Sequence, residues 1–184
     1  MHSHLATVLQ HLASATSELR AAVDALPAPL RGEQPAPERW SANEVIEHVG
    51  KVETLFIGSL LARLETARGE GLGAEVAEPP MLPEQTRAVV TDRSSKRTAP
   101  DAVQPTGTVD AMAGLDRIEA GHARLRDAVT QCQGQALSTV TTDHRFFGTL
   151  NVYQWMELLA GHERRHAAQV RELTAQLQER HVKS

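Results

Sequence analysis

The chain has 184 residues, of which 41% are hydrophobic but only 3% aromatic, with one cysteine and a formal net charge of −4. That length suits one domain with a substantial core, and a core built from Leu, Val and Ala favours packed helices over an aromatic-rich sheet. The acidic balance without a basic run excludes a nucleic-acid footprint. No apolar stretch reaches the length of a membrane span, no segment reads as a signal peptide, and Cys132 alone forms no intrachain disulfide. A cytoplasmic protein with neither nucleic acid nor membrane as partner is expected.

The first helical segment covers residues 4–26, with Leu5, Val8, Leu12, Ala15, Leu19, Ala22 and Leu26 at alternating steps of three and four. Pro27 and Pro29 end it. The second opens at Trp40-Ser41-Ala42-Asn43-Glu44, where Ser41 and Glu44 fit a capping box and Trp40 and Val45 a hydrophobic staple. Its expected core stripe is Val45, His48, Val52, Leu55, Ser59 and Leu60, widened by Val49, Phe56 and Leu64. Gly69, Gly71 and Gly73 stop it. Residues 70–107, rich in proline, read as a long connection with a short helix over 83–90. Such length argues against simple up-down-up-down wiring.

The third helix is expected over 109–131, with Met112, Leu115, Ile118, His122, Leu125 and Val129 inward. Residues 137–149 read as a loop or short extended piece. The fourth helix repeats the entry of the second: Asn151 caps, Gln154 reciprocates, and Leu150 and Trp155 form the staple. It runs to about residue 180.

On that fourth helix, Val152, Trp155, Leu159, His162, His166, Val170, Leu173 and Leu177 form one stripe. His162 and His166 stand four residues apart, so both rings project from one buried face and can reach a single point. Buried imidazoles need partners, and a divalent metal is one. The alternative is a polar layer without metal. His48, in phase with Val45 and Val52, is the candidate third ligand; alone it would read as a hydrogen-bonded core histidine. Three neutral imidazoles suit zinc or nickel first, with cobalt or ferrous iron also accepted, and leave a coordination position open.

His162-Glu163-Arg164-Arg165-His166 also fits the zinc-protease helix literally. That reading makes Glu163 a general base and needs a downstream third ligand, where only His181 stands. The plainer reading makes Glu163 a solvated residue paired with a neighbouring arginine. His122 and Glu119 are candidates to orient a ligand or line the pocket, against a satisfied core histidine and a surface glutamate. His144, beside Asp143, could sit at the pocket mouth. His2, His4, His11 and His181 read as solvated, and Cys132 as a small packing residue.

The segment Trp40 to His48 resembles the second-helix signature of the DinB-like superfamily, and Phe147 to His166 its fourth-helix signature. The resemblance spans nearly the whole chain. It implies an all-α, four-helix bundle over residues 1–184, wired up-down-down-up with a crossover between the second and third helices. It also implies a metal held by His48, His162 and His166, and often a homodimer. Relatives include thiol-dependent transferases and isomerases and proteins described as metal-dependent hydrolases.

The expected function is therefore that of a metal-dependent enzyme, a thiol S-transferase or hydrolase, acting on a small molecule, with a low-molecular-weight thiol as a further candidate cofactor. A cationic patch from Arg145 and Arg165 would favour an acidic thiol, although each reads more simply as a solvated charge. The alternatives are a non-catalytic metal-binding or stress-response bundle, and a dimeric interaction module with an empty site.

Overall fold

The computed structural model describes residues 2–95 and 97–182. Its helices are α1 (Ser3–Asp24), α2 (Ala42–Glu70), α3 (Glu84–Thr91), α4 (Ala111–Gln131) and α5 (Val152–Val182), with a hairpin of β1 (Thr141–His144) and β2 (Gly148–Asn151). The four long helices form the bundle. α1 packs most extensively on α5 and α2 on α4, while the short α3 lies against α5. No helix among the described residues is long and apolar enough to cross a membrane.

Local chemistry sets the helix ends. In α2, Ser41 Oγ accepts from Glu44 N at 3.2 Å and the Glu44 carboxylate accepts from Ser41 N at 2.8 Å. The reciprocal pair recurs at α5, where Asn151 Oδ1 accepts from Gln154 N and Gln154 Oε1 from Asn151 N. Each such cap is worth about 1 kcal/mol. α2 ends at Gly71, whose φ of 90° is a left-handed conformation costly for any residue with a Cβ. α4 starts slightly later than the apolar pattern suggests because Asp110 accepts from the amides of Met112 and Ala113 and so becomes its cap. Residues 141–151 are an antiparallel hairpin, with Thr141 opposite Asn151 and His144 opposite Gly148.

The expected inward stripes of α1 and α5 are buried, with His162 half-buried. That of α2 is corrected. Leu55 is 55% exposed and Ser59 is also exposed, while Glu53 and Ile57 face inward. The inward line runs Ile46, Val49, Glu53, Ile57, Leu60, Leu64, Ala67, a regular helical stripe that passes through a carboxylate.

That carboxylate belongs to a layer. The buried apolar residues form two clusters: one holds Leu5 to Ala15, Ile57 to Ala67, Leu125 to Val129 and Val152 to Ala160. The other holds Leu19 to Leu26, Ala42 to Val49, Ala111 to Ile118 and Ala167 to Leu177. Each long helix crosses between them at a polar residue: Thr16, Glu53, His122 and Glu163. His162 adjoins Glu163 of this layer, and His48 and His166 converge on it.

The long connection returns along α2. The Glu47 carboxylate accepts from Thr106 N at 3.0 Å, Thr106 Oγ1 at 2.8 Å and Gly107 N at 2.8 Å, and pairs with Lys51 at 2.8 Å. Burial alone would raise its pKa, but Lys51 and the Thr106 and Gly107 donors prevail and hold it down at about 2, against an ordinary 4.5. A depressed carboxylate stabilises the fold above its unfolded pKa and loses that contribution on acidification. Glu47→Gln is expected to cost about 2–3 kcal/mol at pH 7, and the deficit should shrink as pH falls from 4.5 toward 2. Urea unfolding of both proteins across that range checks it.

Candidate metal centre

The structure brings His48, on α2, together with His162 and His166, on α5. Ring centroids are 5.5 Å apart for His48 and His162, 5.1 Å for His48 and His166, and 4.5 Å for His162 and His166. One ligand nitrogen from each lies within 4.8 Å of the others. His48 and His166 are about 95% buried, and the Trp40 ring stands 5.0 Å from His48, covering that side.

Hydrogen bonds fix the tautomers of two rings. His48 Nδ1–H donates to Val103 O at 2.8 Å, a carbonyl that can only accept, so its Nε2 carries a lone pair. His166 Nδ1 meets Gln169 Oε1 at 2.9 Å, and that oxygen also accepts from Arg93 Nη1. Arginine only donates, so the amide oxygen faces both, and His166 Nε2 is likewise free to ligate. His166 Nε2 stands 3.1 Å from His162 Nε2, while the buried His162 Nδ1 has no partner. Three nitrogen lone pairs offered by neutral imidazoles fit a divalent ion, and no fourth His, Cys, Asp or Glu joins the set among the described residues.

All three imidazoles are less basic than usual. Burial is the main cause, and it brings His162 down to about 3 with added repulsion from His48 and Arg165. Burial likewise lowers His48, and lowers His166 further with His162 beside it. The rings are therefore held neutral, the form that binds metal.

The other candidates do not join this set of three. His122 belongs to a different group, where its Nε2 meets Glu53 Oε2 at 2.7 Å and its Nδ1 meets Thr16 Oγ1 at 3.0 Å. The Glu119 side chain is 45% exposed and accepts from Arg20 Nε, on α1, at 2.7 Å. His144 Nδ1 accepts from the amides of Phe146 and Phe147, closing the hairpin turn, and its ring packs beside Phe147, Trp155 and Phe56. Cys132 is buried as a packing residue.

Glu163 is not solvated and has no arginine partner in an ion pair among the described residues. It is fully buried and accepts from Thr16 Oγ1 at 3.0 Å. Arg165 is 93% buried rather than solvated; its Nη2 donates to Ser95 O, and its Nη1 is buried without a partner. Burial and the nearby cations Arg97 and Arg93 lower its pKa. Sequence reasoning missed Glu53, Thr16 and Gln169. The available signal was phase: Glu53 falls four residues after Val49 and four before Ile57, and Thr16 four after Leu12.

A model of the DinB superfamily matches residues 11–170. The chain belongs to the DinB superfamily. It is 26% identical over 147 residues to the uncharacterised protein YuaE of Bacillus subtilis, covering 79% of this chain and 84% of YuaE. Among solved structures, it resembles YfiT from Bacillus subtilis, described as a probable metal-dependent hydrolase with an unusual four-helix bundle topology. That likeness has a TM-score of 0.61 at 14% identity and covers 95% of this chain and 87% of YfiT, so it bears on the fold. Both relatives thus align with most of this DinB-superfamily chain.

Two outcomes test the centre. Gln169→Leu leaves His166 unoriented and is expected to weaken zinc binding about 10–100-fold in a chelator competition. Because the folded histidines sit below their ordinary pKa of 6.5, the metal-free protein should lose stability as pH falls through 6.5, where the unfolded chain takes up protons first. Replacing all three histidines with alanine should flatten that dependence in thermal melts.

Proposed function

We propose that the chain is a metal-dependent enzyme acting on a small anionic molecule, with His48, His162 and His166 holding a divalent ion, zinc or nickel foremost. The convergence of three neutral imidazoles, two held in the ligating tautomer by Val103 and Gln169, carries the reading. A divalent ion held this way supplies Lewis acidity and lowers the pKa of a bound nucleophile toward about 7. The chain's own residues do the rest. Trp40 shields His48 from water, Val103 O and Gln169 hold the ring protons away from the centre, and Arg165 offers an unpaired buried N–H to an anionic substrate group.

Hydrolysis is the leading reaction, in keeping with the description of YfiT. Thiol transfer is the second reading. The cations Arg97 and Arg165, both close enough to lower the basicity of His162, favour it, since they would receive the carboxylates of an acidic low-molecular-weight thiol. The same reading takes residues 1–184 as one cytoplasmic bundle domain, wired up-down-down-up, and a homodimer. The order in which the helices meet the two apolar clusters supports the wiring: α1 and α5 run from the first to the second, α2 and α4 from the second to the first.

Chelator-stripped protein, reloaded with zinc or nickel, is to be screened on small anionic esters and amides, and on electrophiles with and without thiol. Activity is expected to return with metal, to vanish in His166→Ala, and to show a raised KM with nearly unchanged kcat in Arg165→Ala. Equal turnover by the stripped protein would sink the reading. Metal that raises Tm but supports no reaction would instead establish a binding protein.

A further inference from the structure

We infer that the bundle carries a second, separate metal site, built from Glu53, His122, Glu163 and Thr16, that takes a harder divalent ion such as Mn2+ or Fe2+. Each of the four long helices contributes one of these residues at the level where its two apolar segments meet. Sites in helix bundles are built from facing side chains in this way.

The donor atoms are already gathered. One ligand atom each from Glu53, His122 and Glu163 lies within 4.8 Å of the others. Glu53 is 1% exposed and Glu163 fully buried. Thr16 Oγ1 stands 3.0 Å from both His122 Nδ1 and Glu163 Oε2. The observation that points to a ligand is Glu53 Oε1. It is buried with no hydrogen-bond partner, on a carboxylate that belongs to this group and whose other oxygen meets His122 Nε2. A native interior rarely leaves a carboxylate oxygen unsatisfied.

Charge leads the same way. Two carboxylates are buried here, and among the described residues no lysine or arginine forms an ion pair with either. A divalent cation would neutralise both carboxylates, and its entry would displace whatever protons they hold. Two carboxylates, one imidazole and a hydroxyl form an oxygen-rich set, suited to manganese or ferrous iron, whereas three imidazoles suit zinc and nickel. The two centres therefore differ in donor chemistry although His162 and Glu163 are neighbours in sequence. An approach exists: a cleft of about 360 Å3 between α2 and α4 is lined by Gly50, Glu53, Ile57, Gly121 and Arg124.

The test removes the three-histidine centre first, so that its failure and this one are distinguishable. Metal-stripped His48→Ala/His166→Ala protein is titrated with Mn2+ alone, and free ion is counted by its electron paramagnetic resonance signal. One equivalent is expected to bind, with a rise in Tm. Adding Glu53→Gln, which keeps the shape of the side chain, should weaken binding at least tenfold, and Thr16→Val should weaken it less. If Glu53→Gln does not fold, as judged by circular dichroism, His122→Asn in the same background takes its place. No binding by the double variant, or binding untouched by Glu53→Gln or its substitute, overturns the proposal.

Discussion

A polar side chain placed where water is excluded must find its partners inside the protein, and most of this molecule follows from meeting that demand at one level of the bundle. Thr16, Glu53, His122 and Glu163, with His48, His162 and His166 beside them, interrupt what would otherwise be one continuous apolar core. Satisfying them requires four helices in a single register. A one-residue slip of α2 would carry Glu53 away from His122 and His48 away from Val103 O. The polar layer thus selects the packing that the apolar clusters alone would only loosely specify.

The long connection between α2 and α4 is part of that arrangement. Three residues of α2 take hold of its returning end: Glu47 binds Thr106 and Gly107, His48 binds Val103, and Lys51 binds Gln104. The connection therefore orients one candidate ligand directly. Its earlier part lies on α5, where Val90 fits against Gly161, one residue before His162; a Cβ at Gly161 would come within 3.0 Å of Val90. Arg165 reaches Ser95 on the same stretch, and Arg93 reaches Gln169, the residue that orients His166. Arginines on this side of the bundle thus combine two functions, tying down the connection and placing positive charge near the three histidines.

Burial explains both the low basicity of the histidines and the persistence of the layer. A neutral imidazole costs much less to bury than an imidazolium, so the same desolvation that would oppose a charged site prepares a metal-binding one. The two carboxyls of the layer respond in the opposite direction: burial raises both, and each depends on a neighbour, Glu53 on His122 and Glu163 on Thr16.

Sequence by itself determined the helix entries and the pairing of His162 with His166. Caps and helical periodicity are local, written within about four residues, and Ser41–Glu44, Asn151–Gln154 and the α5 stripe can be read without any partner. Phase also marked His48, and the length of the connection argued against simple wiring. Only the tertiary structure decided which polar residues turn inward. Glu53, Glu163 and Thr16 stand in phase with apolar neighbours, yet a carboxylate is read as solvated unless a donor waits for it, and here the donors come from other helices, His122 from α4 and Thr16 from α1. The same holds for Arg165, buried by a connection whose path periodicity cannot describe, and for Gln169, which orients His166 with Arg93 brought in from that connection. A polar residue's burial depends on long-range partners, and those exist only once the helices have met.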